Sequence, residues 1–389
     1  MKRTSRLYND LLRLLKQSHW ADQRHLQTLV WMVLGLICAG CVNLTQWTAY
    51  TQSRAKIAQS HQRRFSRWLH NSRINVHRLY SPIIKQSLKG WGESTLVLLL
   101  DTSMLWNQYC LVRLSVEYRG RAIPVTWRVI SHHSSSITLE VYQGLLKRAA
   151  RVMPPGVSIR LLADRGFADT KLMRYLTQEL GWHYRIRLKE DCWVIRPRQQ
   201  ACQLKQFHLS SGEALLLRGV KITKTHLYGF VHLALGHDPL SGQSWYIVSD
   251  EPTTLQTFRE YGQRFNLEEE FLDEKSNGFQ LESSWIRSSI ALSRLCLVLA
   301  VASLFLSVQG QQVVACGLRR QVDCHWHRGN SYLRIGWDWV RGVLHKGWKL
   351  FRTLQLQGQP APQPARASRT QFTKHDERVF TVQSYHYIF

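Results

Sequence analysis

Two strand-like apolar runs in this chain each stop on an aspartate, and that feature constrains the fold more than any other. Residues 96–100 read Leu-Val-Leu-Leu-Leu and end at Asp101, and residues 157–163 end at Asp164. An unbroken apolar run bounded in this way reads as a strand buried on both faces, as in a sheet covered by helices on either side. A carboxylate at such a point disfavours the sheet unless it lies near an edge or binds something. Taken singly, Asp101-Thr102-Ser103 could cap a helix and Asp164-Arg165-Gly166 could make a turn. As a pair closing two strands of one sheet, they call for a shared explanation.

The punctuation between them supplies the order of elements. Residues 109–118 and 122–130 alternate as strands around a tight turn at Arg119-Gly120-Arg121. A helix over 136–152 stops at Pro154-Pro155-Gly156, a second over 169–180 stops at Gly181, and 182–188 reads as a fifth strand. The order β-β-β-α-β-α-β resembles an RNase H-like core. The expected fold class is therefore α/β, an RNase H-like mixed sheet with a β-rich insertion, flanked by an N-terminal helical domain and C-terminal helices. Short alternating segments at 190–250 suggest a small antiparallel sheet as the insertion, and long helices resume after Pro252. The expected division is a helical DNA-binding domain at 1–90, a catalytic domain at 91–310, a helical region at 311–354 and a disordered tail at 355–389, rich in Gln, Pro, Ala and Arg.

Lys and Arg number 52 against 26 Asp and Glu, a formal net charge of +26. A field of that sign attracts polyanions, and neutralising phosphates releases condensed counterions. Ribosome-type structural proteins share the charge but are poor in aromatics, whereas this chain carries 15 Trp. Residues 42–67 look like a helix-turn-helix region with a basic second half, making Arg54, Lys56, Arg63, Arg64 and Arg67 candidate DNA contacts; a solvated basic helix would look the same. Eight scattered cysteines form no zinc-finger framework and read as buried thiols in a reducing compartment, and Cys324-His325-Trp326-His327 is a weak metal motif. The apolar stretches 29–44 and 290–308 are expected to be core helices and not membrane spans, since the first is short and the second holds Arg294. No cleavable signal peptide is expected, because the basic N-terminus is followed by polar sequence.

Displacement at a phosphodiester needs charge neutralised on entering and leaving oxygens. Two Mg²⁺ ions held by converging carboxylates do this. With Asp101 and Asp164 as two ligands, the third falls among Glu268, Glu269 and Glu270. At ~100° per residue from Tyr261 on a continuous helix, Arg264 lies near −60°, Glu268 near −20° and Lys275 near −40°, while Glu269 and Glu270 lie near +80° and 180°. Tyr, Arg, Glu and Lys on one stripe make poor core, although a solvated face with ion pairs has the same pattern.

Spaced in this way, Tyr261, Arg264, Glu268 and Lys275 resemble the YREK signature of the DDE transposases of bacterial insertion sequences. Leu100-Asp101-Thr102 and Ala163-Asp164-Arg165-Gly166-Phe167 resemble the family's two aspartate motifs, 63 positions apart, with 104 more to Glu268. The resemblance covers about 90–310. It implies that Asp101, Asp164 and Glu268 bind two Mg²⁺, or Mn²⁺ in their place. Tyr261 and Arg264 would hold a phosphate beside a flipped nucleotide, and Lys275 would contact the strand near its terminal phosphate. Trp245 would stack on the flipped base, a role weighed equally against that of a core tryptophan, and Arg165 would meet phosphate or carboxylate. It further implies cut-and-paste transposition through a hairpin, on double-stranded DNA carrying the element's terminal inverted repeats and on target DNA. The enzyme would act as a homodimer, with self-association expected at about 310–350, in a bacterial cytoplasm with the nucleoid. A domesticated, non-catalytic DNA-binding protein and a metal-dependent nuclease on the same core are the alternatives.

Overall fold

The computed structural model describes residues 2–16, 20–92, 94–239, 241–275, 278–325, 330–359 and 381–386, the last by backbone alone. Helices α1 (Lys2–Leu15), α2 (Gln23–Ala39), α3 (Leu44–Trp47), α4 (Ala58–His70) and α5 (Val76–Leu88) come first. The Asp22 carboxylate caps α2 by accepting from the Arg24 amide at 2.8 Å, and Gly40 ends it at φ 76° with its N–H on Leu36 O. The expected helix-turn-helix takes another form. Between the single turn of α3 and the start of α4 lie a 3₁₀ turn and an irregular stretch over 51–57, too long for the three- or four-residue turn of that motif.

Strands β1 (Leu96–Leu105), β2 (Tyr109–Tyr118) and β3 (Arg121–Ser131) form an antiparallel meander. Helix α6 (Leu139–Ala150) leads to β4 (Ile159–Ala163), then α7 (Thr170–Arg174) runs on as a wider turn to Gly181 and β5 (His183–Arg187). Strands β1, β4 and β5 are parallel neighbours, with Leu100 opposite Ala163. The β-β-β-α-β-α-β order read from the sequence is thus present as a mixed sheet.

The insertion differs from expectation. Strands β6 (Trp193–Ile195), β7 (Cys202–Gln203), β8 (Glu213–Ile222), β9 (Tyr228–His237) and β10 (Ser244–Ser249) do not make a separate sheet. Strand β10 pairs antiparallel with β5, so all join one sheet in the order β3-β2-β1-β4-β5-β10-β9-β8-β6-β7. Helices α8 (Gln256–Gly262), α9 (Phe265–Lys275), α10 (Ser289–Ala315) and α11 (Tyr332–Lys346) follow. Strand β11 (Thr381–His386) lies parallel to β8, within the stretch expected to be disordered; residues 360–380 and 387–389 of that stretch fall outside the described residues.

Helix α10 is long and apolar enough to cross a membrane, with a mean hydropathy of 2.2, yet 83 % of that window is buried inside the protein. It packs against α2, α4, α5, β3 and α11. Arg294, the charge within it, is buried and donates to Leu69 O at 2.8 Å and Ile74 O at 3.1 Å. That arginine satisfies carbonyls at the end of α4 and ahead of α5, and so ties the N-terminal helices to the same core as the sheet. The N-terminal helices and the sheet thereby share one hydrophobic core.

Candidate active site

Asp101 lies within β1 just past Leu100, and Asp164 follows the last residue of β4. Because Leu100 and Ala163 are partners on adjacent parallel strands, the two aspartates leave the core side by side, roughly 5 Å apart in backbone terms. Burial pushes the Asp101 carboxyl up to about 6, against the lowering effects of Arg264 and of the Thr102 amide, with Asp164 and Glu268 adding repulsion. All three candidate carboxylates therefore lie within electrostatic reach of one another.

The third comes from α9. Helices α8 and α9 are separated by a tightened turn at Gln263–Arg264, where Arg264 N bonds Tyr261 O at 2.9 Å and Leu267 N bonds Arg264 O at 3.0 Å. Such i→i−3 bonds turn the chain faster than an α-helix, so the single stripe expected from Tyr261 to Lys275 is broken after Tyr261. Tyr261 points into a small cluster with Trp245, Ile247 and Phe258, and Arg264 points to the carboxylates. Helix α8 is fixed by Glu260, which faces Arg160 of β4 at 3.2 Å and Arg185 of β5 at 3.3 Å.

Arg264 is the centre of the site. The residue is 5 % exposed, and its guanidinium donates to Asp101 Oδ2 at 3.0 Å and to Glu268 Oε1 at 2.5 Å and packs over the Phe265 ring at 4.7 Å. The neighbouring glutamates turn elsewhere. Glu269 faces Arg121 at 3.5 Å, and Glu270 is buried against Arg113 at 2.7 Å and Ser115 Oγ at 2.9 Å. Among the described residues, no three His, Cys, Asp or Glu side chains are gathered closely enough to hold a metal ion. The gap between Asp101 and Glu268 belongs to Arg264 in this arrangement. The donor chemistry still suits a hard cation, since Asp101 and Glu268 both bond one buried positive charge and Asp164 leaves the neighbouring strand beside Asp101.

Beneath the site lies a charge cluster that sequence reasoning missed. Arg113 of β2, the register partner of Asp101, is fully buried and faces both Glu270 and Glu274, the latter at 2.8 Å. Burial pushes both carboxyls up, and Arg113 opposes the shift. A lone arginine within the apolar strand 109–118, and glutamates four apart on the helix that carries Glu268, were the available signals.

The other expected contacts are placed as follows. Trp245 is 1 % exposed, edge-on to Tyr261 with centroids 5.5 Å apart; in this position it is a core tryptophan and offers no open face to a base. Lys275 is turned inward and donates to Met104 O at 2.6 Å, its ammonium pKa lowered by burial. Arg165 is exposed at the start of the turn after β4. Arg54, Lys56, Arg63 and Arg67 are exposed, whereas Arg64 is half-buried near Tyr8. The cysteines are free thiols, but contrary to expectation only Cys110 and Cys296 are buried, and Cys316 and Cys324 are exposed. His325 sits 2.7 Å from Asp323, while Trp326 and His327 lie outside the described residues.

No family model matches the sequence, and no curated protein matches it. Among solved structures, the chain is similar to a cryo-EM structure of the piggyBac transposase synaptic complex with hairpin DNA. The identity is 9 %, the TM-score 0.46, and the match covers 89 % of this chain and 77 % of that one. A score below 0.5 does not establish a common fold.

Proposed function

We propose that this chain is a DNA transposase of the DDE type, cutting and rejoining DNA with Asp101, Asp164 and Glu268 on an RNase H-like core. One observation carries the reading: Asp101 of β1 and Glu268 of α9 share one buried guanidinium, and Asp164 leaves the end of β4 beside Asp101 on the adjacent parallel strand. Placing three negative groups together is costly unless something positive is to be bound there.

Two Mg²⁺ ions, or Mn²⁺, would be held by these three side chains, and when bound they supply charge neutralisation at the scissile phosphate. Arg264 would then release Asp101 and Glu268 and turn to a DNA phosphate, for which a planar guanidinium is well suited. Tyr261 and Phe265 brace the turn that carries it. The substrate would be double-stranded DNA, at the inverted repeats of a bacterial insertion sequence and at its target. Cleavage would pass through a hairpin within a homodimer.

The grip of Arg264 on two of the three carboxylates also favours a second reading, a DNA-binding protein that no longer loads metal. A strand-transfer assay separates the readings. Pre-cleaved ends taken from the DNA flanking the coding sequence are incubated with target plasmid and Mg²⁺ or Mn²⁺. Joined product is expected; binding with no product in either metal would favour the second reading, and cleavage without joining would indicate a nuclease.

A further inference from the structure

Among the described residues, Trp285 is the most exposed of the large apolar side chains, at 78 %. It follows the 3₁₀ turn Leu281–Ser284 and has φ 56°; Trp106, in the turn between β1 and β2, has φ 49°. Bulky residues rarely adopt that region, and they keep it where the surroundings over-determine it. Here the surroundings are specific. The Arg287 guanidinium lies 4.0 Å over the Trp106 ring and 5.5 Å from that of Trp285. The Trp106 indole N–H donates to Glu282 O at 3.1 Å. Lys275 bonds Met104 O and stands 3.8 Å from the Glu282 carboxylate. Two indoles with a cation between them are thus fixed to the end of the strand that carries Asp101 and to the helix that carries Glu268.

We infer that Trp285, Arg287 and Trp106 form a stacking platform for an unpaired base of the DNA strand leaving the carboxylate site. The inference rests on the DNA-processing reading above. Trp106 lies five positions beyond Asp101, ~17 Å along an extended chain, which is about five base-pair steps of duplex. An exposed indole offers a π-face that any base can cover, and a neighbouring guanidinium adds both stacking and attraction to the phosphates.

The test uses the full chain and a short single-stranded oligonucleotide carrying 2-aminopurine, beside the matching duplex. Stacking quenches the probe. Trp285→Ala is expected to weaken single-strand binding about tenfold or more and to abolish the quenching, with a smaller change on duplex and an unaltered sedimentation coefficient. Trp285→Phe is expected to keep most of both. Unchanged affinity and quenching in Trp285→Ala would overturn the platform. So would a shift in oligomeric state with DNA affinity intact, which would make the patch a contact between copies. Asp101→Asn separates this from the catalytic reading. It should remove cleavage and leave the quenching; if cleavage survived in that variant, the catalytic reading would fall while the quenching result still decided the platform.

Discussion

At the scale of single residues, Arg264 and Arg113 hold opposite sides of the same problem. Arg264 stands between Asp101 and Glu268, and Glu268 is 49 % exposed, so solvent screens part of that pairing. Arg264→Ala is expected to cost about 1–3 kcal/mol without divalent metal, because it leaves like charges facing one another. Thermal unfolding with and without Mn²⁺ checks this: Mn²⁺ should raise the variant's midpoint more than the wild type's, and equal shifts would deny that the metal and Arg264 compete for one place. Arg113 has no such substitute. It is buried with Glu270 and Glu274, and Arg113→Met should cost roughly 3–5 kcal/mol. Because burial raises both carboxyls above the ordinary glutamate value, the folded state holds more protons than the unfolded chain above that value. Stability contributed here is therefore present at low pH and lost as the pH rises. The Arg113→Met deficit should be larger at pH 8 than at pH 6 in denaturant titrations, and a deficit independent of pH would place the cost in packing alone.

At the scale of elements, the crossing of α10 and α11 has no room to spare. A Cβ on Gly336 would lie 1.8 Å from Leu306 O, and one on Gly310 would lie 1.9 Å from Tyr332 O. Gly336→Ala is expected to force the helices apart at a cost of roughly 1–3 kcal/mol or more, read from the unfolding midpoint; an unchanged midpoint would show that the helices do not cross this closely. The elements that sequence pattern could reveal are those with local causes. The apolar runs before Asp101 and Asp164 stood out because uninterrupted runs have few other homes, although β1 continues past Asp101 to Leu105 along its pairing with β2; Gly181 and Pro154-Pro155-Gly156 stop their helices by backbone chemistry alone. The turn closed by Arg264 N on Tyr261 O contains Gly262, a weak helix former at the end of α8 that the single-stripe reading passed over. The choice of Glu268 rested on a continuous helix, yet the break leaves Glu268 facing Arg264 because it lies four residues on, one turn along α9. The pairing of β10 with β5, which merges the insertion into the main sheet, depends on partners far apart in sequence. Trp245 shows the same limit at the site: an indole at a strand start reads alike whether it faces a base or the core.

At the scale of the whole molecule, one core joins the N-terminal helices, the sheet and the last helices, and a net charge of +26 surrounds it. Affinity for duplex DNA should fall steeply with salt, and each phosphate contact removed from α4 should reduce the log–log slope by about 1. Arg63→Ala with Arg67→Ala, measured by fluorescence anisotropy across a salt series, should lower the slope by about 2 if both meet phosphate; an unchanged slope would make that helix a solvated basic face. The central claim is that Asp101, Asp164 and Glu268 act together as a metal-dependent cutting site. It is tested most directly by Mn²⁺-dependent cleavage of plasmid bearing the flanking DNA, comparing wild type with Asp101→Asn, Asp164→Asn, Glu268→Gln and, as a control, Glu269→Gln. Cleavage lost in the first three and kept in the fourth is the expected result; cleavage that survives loss of any one of the three carboxylates would contradict the account.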